Sequence, residues 1–331
     1  MSLETILDLF TANYRTAAIK TGIELDIFTA IGSGADVTRD LAARCGAAER
    51  GIRILCDYLT SIGLLTKQGE RYGLGPDAAA FLDKRSLAYI GSMVTAYSGA
   101  TTLQGLARLT AAVRQGGTVL PDEGVLAPDH PYWADFARAI APAGHFMGPR
   151  LATLLNVSAG GRIRVLDIAA GHGLYGIAVA IQNPQAEVVA LDWPSVLAVA
   201  QGNAEAASVA DRYRTIPGSA FTEEFGERYD LVLLTNFLSD FDAATCELLL
   251  TKVHAALVPR GRAVALQFVV NDDRVSTPVA AYLSLALLTT TPGGDNYTFG
   301  ELDRMFRNTG FLRTELHELP PERVVIAYRA P

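Results

Sequence analysis

Two acids and a run of glycines stand where strands should end. Val165-Leu166-Asp167-Ile168-Ala169-Ala170-Gly171-His172-Gly173-Leu174-Tyr175-Gly176 reads as a buried strand with an acid near its end, a glycine-rich turn and the start of a helix. The next apolar run, Glu187-Val188-Val189-Ala190-Leu191, ends on Asp192. Glycine lets a backbone approach a ligand closely and take dihedral angles that other residues avoid. An acid at the end of the following strand can accept both hydroxyls of a ribose. The combination predicts a nucleoside-binding crevice. Gly171, Gly173 and Gly176 also satisfy the G-x-G-x-x-G spacing of dinucleotide sites. Asp167 argues against a dinucleotide, because a carboxylate there would repel a pyrophosphate in a poorly solvated crevice. It would welcome a cationic amino group. S-adenosylmethionine carries an ammonium, a sulfonium and a ribose but no phosphate, and is the expected cofactor. Metal chemistry is not expected: there is no His-x₃-His, H-E-x-x-H or C-x-x-C, and Asp272-Asp273 reads as a solvated loop. The G-x-S-x-G of a serine hydrolase is absent too.

The elements that must position these residues alternate from residue 162 onward. Strands are predicted at Ile163–Ile168, Glu187–Leu191, Tyr213–Ile216, Tyr229–Leu234 and Ala263–Val269. Helices fall between them at Leu174–Gln182, Ser195–Ala207 and Thr245–Leu257. That is a Rossmann-like, doubly wound α/β sheet. Two last strands, Phe311–Glu318 and Arg323–Tyr328, are joined by only Leu319-Pro320-Pro321-Glu322. So short a link forces an antiparallel hairpin, since a parallel pair needs a long crossover.

The first hundred residues read differently. An apolar stripe through Ile6, Leu9, Phe10, Ala17 and Ala18 has helical spacing. Helices are predicted at Thr38–Cys45 and Glu49–Ile62, followed by a hairpin of Leu64–Lys67 and Arg71–Leu74 around Gln68-Gly69-Glu70. Helix, helix, hairpin is a winged-helix pattern. Arg44, Arg50 and Arg53 could serve a DNA-reading helix, yet this region holds ten basic and eleven acidic residues and has no basic face. A dimerisation role for the stripe is the simpler reading. The expected division is residues 1–100 as this domain, 101–160 as a helical linker that reaches the acceptor pocket, and 161–331 as the nucleoside-binding domain, with Gly160-Gly161 at the boundary.

A chain of 331 residues with a formal charge of −7 is a poor partner for nucleic acid or an anionic membrane surface. The apolar segment Val279–Leu288 is too short to span a bilayer. The N-terminus lacks a basic, then apolar, secretory pattern, and Cys45, Cys56 and Cys246 are widely spaced. A cytoplasmic setting is expected.

At this point the whole chain resembles the small-molecule O-methyltransferases of the caffeate and hydroxyindole type. Asp167, Gly171 and Gly173 look like their donor loop, and Leu191-Asp192-Trp193-Pro194 like their L-D-x-P. Gly218-Ser219-Ala220-Phe221 is similar to G-D-x-F, with Ser219 in place of the acid. The resemblance implies a class I S-adenosylmethionine fold with a winged-helix dimerisation domain, a homodimer, and methylation of a hydroxyl on a small aromatic or polycyclic metabolite. Asp167, Gly171, Gly173, Asp192, Trp193, Ser219, Ala220, Phe221 and Asn236 would hold the donor. Trp133, Phe136, Phe146, Tyr282 and Tyr297 would meet the acceptor. One departure matters. Asn236-Phe237-Leu238-Ser239-Asp240-Phe241 is similar to N-x-L-H-D-W, whose His is the general base, and here that position is Ser239. A serine hydroxyl holds its proton too tightly to replace it. Asp240 could take the proton, or another His could, His145 first and His172 second. The acceptor could instead ionise unaided, or the domain could catalyse something other than methyl transfer.

Overall fold

The computed structural model describes residues 2–159 and 161–331. Gly160, half of the expected boundary, lies outside the described residues. The chain forms two compact units, one ending at Gly99 and the other Ala100–Pro331.

The first unit contains helices α1 (Leu3–Phe10), α2 (Ala12–Glu24), α3 (Ile27–Gly32), α4 (Thr38–Cys45) and α5 (Glu49–Ser61), strands β1 (Leu65–Gln68) and β2 (Arg71–Leu74), and helices α6 (Pro76–Phe81) and α7 (Val94–Ser98). The strands form the expected antiparallel hairpin, with Leu65 opposite Leu74. Helix α5 places Ile52, Cys56 and Leu59 at i, i+4 and i+7, all buried against Phe28, Leu41 and Tyr72. Asp57 ties that helix to the hairpin by accepting from Lys67 Nζ (2.6 Å) and Tyr72 OH (2.7 Å). Arg53 binds the same carboxylate at 3.0 Å, so one of the three arginines that could have read DNA is already engaged. Helix α1 buries none of its side chains; Leu3 and Phe10 are each 74% exposed.

The second unit opens with α8 (Ala100–Ala107), α9 (Leu109–Gln115) and the long α10 (Pro131–Leu154). Then come β3 (Arg164–Ile168), α11 (Leu174–Gln182), β4 (Glu187–Asp192), α12 (Pro194–Ala206), β5 (Tyr213–Pro217) and β6 (Tyr229–Thr235). They are followed by α13 (Ala243–Ala256), β7 (Leu257–Gln267), α14 (Pro278–Thr290), α15 (Phe299–Asn308), β8 (Arg313–Leu319) and β9 (Glu322–Tyr328). Seven strands make one sheet in the order β5-β4-β3-β6-β7-β9-β8. The first five are parallel, and β9 runs antiparallel to both β7 and β8. This is the class I methyltransferase sheet with its terminal hairpin. The central parallel strands β3, β4 and β6 are almost wholly buried, as a sheet covered on both faces requires. One core packs Leu151, Ile177 and Val188 on one face; the other packs Leu166, Leu249 and Phe306.

Two strands start more than one residue from the expected position. Strand β7 begins at Leu257 rather than Ala263, because its pairing with β6 jumps from Tyr229–Leu257 to Leu231–Arg262 across an irregularity. Strand β8 begins at Arg313, because Phe311 turns inward against Phe306. The strand order reverses direction at β3, with β4 on one side and β6 on the other, and ligands of such sheets bind outside the carboxyl ends at that point.

Helix α10 covers this end. Glycines let it approach closely: a Cβ on Gly148 would lie 2.8 Å from Leu174 O and 3.1 Å from Ala178 Cβ, and one on Gly144 would lie 2.5 Å from the His172 ring. Among the described residues no helix is long and apolar enough to cross a membrane. Gly148→Val is expected to force α10 off α11 and destabilise the protein by about 1–3 kcal/mol, the usual range for overpacking, measured by urea denaturation. Unchanged stability would mean that the close approach is not needed.

Candidate active site

The site is built from the ends of β3, β4, β5 and β6. After β3 the chain turns with φ of +53° at Ala169, +58° at Gly171 and +74° at Gly173. Asp192, the last residue of β4, holds this turn. Its Oδ2 accepts from Gly171 N–H (2.8 Å) and its Oδ1 from Trp193 N–H (2.7 Å). Its carbonyl accepts from Gly218 N–H at 2.9 Å, which draws in the loop after β5. A Cβ on Gly171 would meet nothing nearer than Ala169 O at 4.0 Å, so the backbone there is open to a ligand. Gly173 serves packing instead: a Cβ would fall 2.5 Å from Tyr213 OH.

Asp167 is in a different position from the one expected. It is sealed from solvent and from the cavity, and its Oδ2 accepts from Gly176 N–H (3.2 Å) in the first turn of α11. Its other oxygen is buried with no protein partner. His172 Nδ1 accepts from Leu174 N–H in the same turn. Two amide groups that a pyrophosphate would need at a helix N-terminus are therefore already occupied.

The cavity above this turn measures about 440 Å³, within the range of small-molecule sites. Gly171, Asp192, Trp193, Ser219, Ala220, Phe221, Asn236 and Asp240 all line it, with Trp133 and Phe136 of α10. Five expected catalytic or acceptor-binding residues do not. His145 is exposed on α10, one residue beyond Gly144, the position that faces His172; that step rotates it about 100° round the helix. Phe146 is 62% exposed, with the Arg150 guanidinium over its ring. Tyr282 lies on the outer surface of α14. Tyr297 is buried behind the wall, donating to Phe241 O. Ser239 is buried in the short turn after β6, its carbonyl so close to Gly294 that a Cβ there would lie 2.6 Å away. The next residue, Asp240, is the one that reaches the cavity.

Sequence reasoning missed Tyr175, Phe237 and Phe241 as lining residues, and Glu322 behind them. Glu322 Oε1 accepts from Asn236 Nδ2 at 2.6 Å. That bond joins residues 86 apart and carries no local signal. The aromatic periodicity around Phe237 and Phe241 could have been read.

Burial dominates the electrostatics. The Asp240 carboxyl has no hydrogen-bonding partner in the protein, and burial pushes it up to about 8. Asp192 is raised to about 6 by burial, opposed by its two backbone donors. His172 falls to about 4, chiefly from burial and then from the charge of His145. Four acids line the cavity, Glu123, Asp192, Asp240 and Asp242, and none of the lining residues is Lys or Arg. The open face of Gly171, the poised Asp192 and the flanking Trp193 and Phe221 fit a phosphate-free nucleoside. The missing cations speak against a pyrophosphate. Among the described residues no cluster of three or more His, Cys, Asp or Glu could hold a metal ion.

Comparisons with known proteins bear on the family and the fold. Residues 129–312 match the family model of the O-methyltransferase domain, and residues 7–84 that of the O-methyltransferase dimerisation domain. The chain is 27% identical over 310 residues to the tetracenomycin polyketide synthesis 8-O-methyl transferase of Streptomyces glaucescens, covering 92% of this chain and 90% of that one. A solved structure from Nostoc punctiforme, a protein proposed to be an O-methyltransferase, superposes with a TM-score of 0.94 at 46% identity over 99% of this chain and all (100%) of that one. The human N-acetylserotonin methyltransferase in complex with S-adenosylmethionine shares the fold, with a TM-score of 0.87 at 20% identity over 99% of this chain and 97% of that one.

Asp192 gives a pH-dependent prediction. A ribose needs the ionised carboxylate as acceptor, so affinity should be constant above neutrality and weaken as pH falls through about 6. Calorimetry with S-adenosylhomocysteine should show this, and Asp192→Asn should weaken binding about tenfold and abolish the pH dependence. An affinity that is flat down to pH 5 would remove the ribose role.

Proposed function

The chain belongs to the O-methyltransferase family and is a methyltransferase that uses S-adenosylmethionine; within that frame we propose that it methylates a hydroxyl of a small aromatic or polycyclic metabolite, with Asp240 as the general base. The observation that carries this is a single carboxyl. Asp240 is 93% buried by its 7% exposure, has no protein partner, and lines the same cavity as Gly171 and Asp192. When bound, the donor supplies an electrophilic methyl group on a sulfonium. Asp192 would orient the ribose, Trp193 and Phe221 would flank the adenine, and Ser219, Ala220 and Asn236 would complete the donor end.

The acceptor ring would lie between Trp133, Phe136 and Phe241, its hydroxyl directed at the Asp240 carboxylate. An ordinary carboxylate near pH 4 is a weak base for a phenol near 10. With its carboxyl raised to about 8, the transfer is uphill by only about two pH units. Spontaneous ionisation of the acceptor is less well supported, because no Lys or Arg lines the cavity to hold a phenolate. The tetracenomycin relative, an 8-O-methyl transferase of polyketide synthesis by its name, supports a polyketide-type acceptor.

Asp240→Asn should lower kcat about a hundredfold on the best acceptor from a panel of hydroxylated polycyclic aromatics, with calorimetric donor affinity unchanged. In the parent, kcat/KM should rise with pH and level off near 8; the cationic donor should move the kcat limb lower. The same change should stabilise the fold above pH 8, where the parent must bury a charge, and confer no advantage at pH 4, where both are neutral. A variant that keeps full turnover rules Asp240 out as base.

We further infer a cytoplasmic homodimer. The apolar face of α1, with Leu3, Leu7 and Phe10 all more than half exposed, needs a cover, and residues 7–84 match the dimerisation domain. Leu7→Glu with Phe10→Glu should shift the protein toward monomer or aggregate in light scattering, and a parent that is monomeric at micromolar concentration contradicts the dimer.

A further inference from the structure

The charge on the cavity lining has a consequence for the acceptor. Its lining includes four acids and no Lys or Arg. Asp192 serves the glycine turn and the donor ribose proposed above, which leaves Asp240 within and Glu123 and Asp242 at the mouth, where both are exposed. Asp242 has one oxygen engaged at the N-terminus of α13, accepting from Thr245 N–H at 2.8 Å. Glu123 sits between α9 and α10, immediately before the short turn Gly124–Leu126, with φ of +65°. The walls between them are Trp133, Phe136 and Phe241, whose faces attract cations. Asp240 is the independent sign that a ligand group belongs here: it is nine-tenths buried, aimed into the cavity and unpartnered by the protein.

Resting on the methyl-transfer reading above, we propose that the acceptor is a basic aromatic alcohol, with its hydroxyl at Asp240 and a protonated amine between the aromatic wall and the carboxylates of Asp242 and Glu123. An acceptor carrying a carboxylate or phosphate would meet only like charges and the aromatic faces, which disfavour anions. A neutral phenol would fit but would leave the mouth carboxylates without a partner.

The two tryptophans of the chain, Trp133 and Trp193, both line this cavity, so intrinsic fluorescence reports on it directly. The protein is saturated with S-adenosylhomocysteine and titrated with three probes of similar shape: 4-hydroxyphenethylamine, 4-ethylphenol and 3-(4-hydroxyphenyl)propionate. The amine should bind about tenfold more tightly than the neutral phenol, and the acid more weakly than either. Glu123→Gln with Asp242→Asn should reduce the amine's advantage to about threefold or less while leaving S-adenosylhomocysteine affinity unchanged. Equal or better binding of the neutral or acidic probe overturns the proposal. If no probe saturates, quenching by caesium against iodide decides: stronger caesium quenching supports an electronegative cavity, and stronger iodide quenching overturns the proposal. Failure of S-adenosylhomocysteine to bind would instead sink the methyl-transfer reading itself.

Discussion

The bond from Gly171 N–H to the Asp192 carboxylate holds the rest of the site in place. The turn after β3 contains a non-glycine residue, Ala169, at φ +53°, a conformation that costs about 1–2 kcal/mol for an L-residue. It persists because neighbouring strand ends over-determine it. Ala170 N–H donates to Leu191 O at 3.2 Å, and Gly171 and Trp193 share the Asp192 carboxylate. Asp167 then secures the far side of the turn by capping α11 through Gly176. The two acids thus divide the work, one fixing the helix below the cavity and the other facing into it.

From this fixed floor the cavity's charge follows. The helix N-terminus that would attract a phosphate has been capped from within, and no side-chain cation compensates. What remains is an aromatic chamber with a negative lining. In such a place burial raises carboxyl pKa values, and that is the condition under which Asp240 becomes a stronger base than an ordinary aspartate. A histidine could have served without this arrangement. The carboxylate needs it.

Much of the fold was legible. Strand-end acids, glycine turns and the short Leu319–Glu322 link are local features, and local features determine the parallel sheet and its final hairpin. The part of the cavity at the strand ends was legible for the same reason, since Gly171, Asp192 and Phe221, which line it, sit at or within about one turn of the end of a readable strand. The part expected to meet the acceptor was not. Phe146 and Tyr282 are aromatic residues on helices, and the sequence does not say which side of a helix faces the cavity when glycines rather than large apolar residues form the contact. Helix α10 approaches through Gly144 and Gly148, so its closest face is marked by the absence of side chains. That face brought His172 under the helix and left His145 outside.

Ser239 and Asp240 show the same limit at closer range. Both are 7% exposed, both lie in one short turn after β6, and their residue types alone cannot tell which faces the ligand. The neighbouring Gly294 presses on both: a Cβ there would lie 2.6 Å from the Ser239 carbonyl oxygen and 2.9 Å from that of Asp240. Only the folded cavity separates them, since Asp240 lines it and Ser239 does not. With serine at 239, Asp240 is the titratable side chain of the turn Leu238–Asp240, buried and with no protein group to neutralise it. A charge-bearing group that a protein buries without a partner is normally destabilising, and it is retained most readily where a ligand completes it.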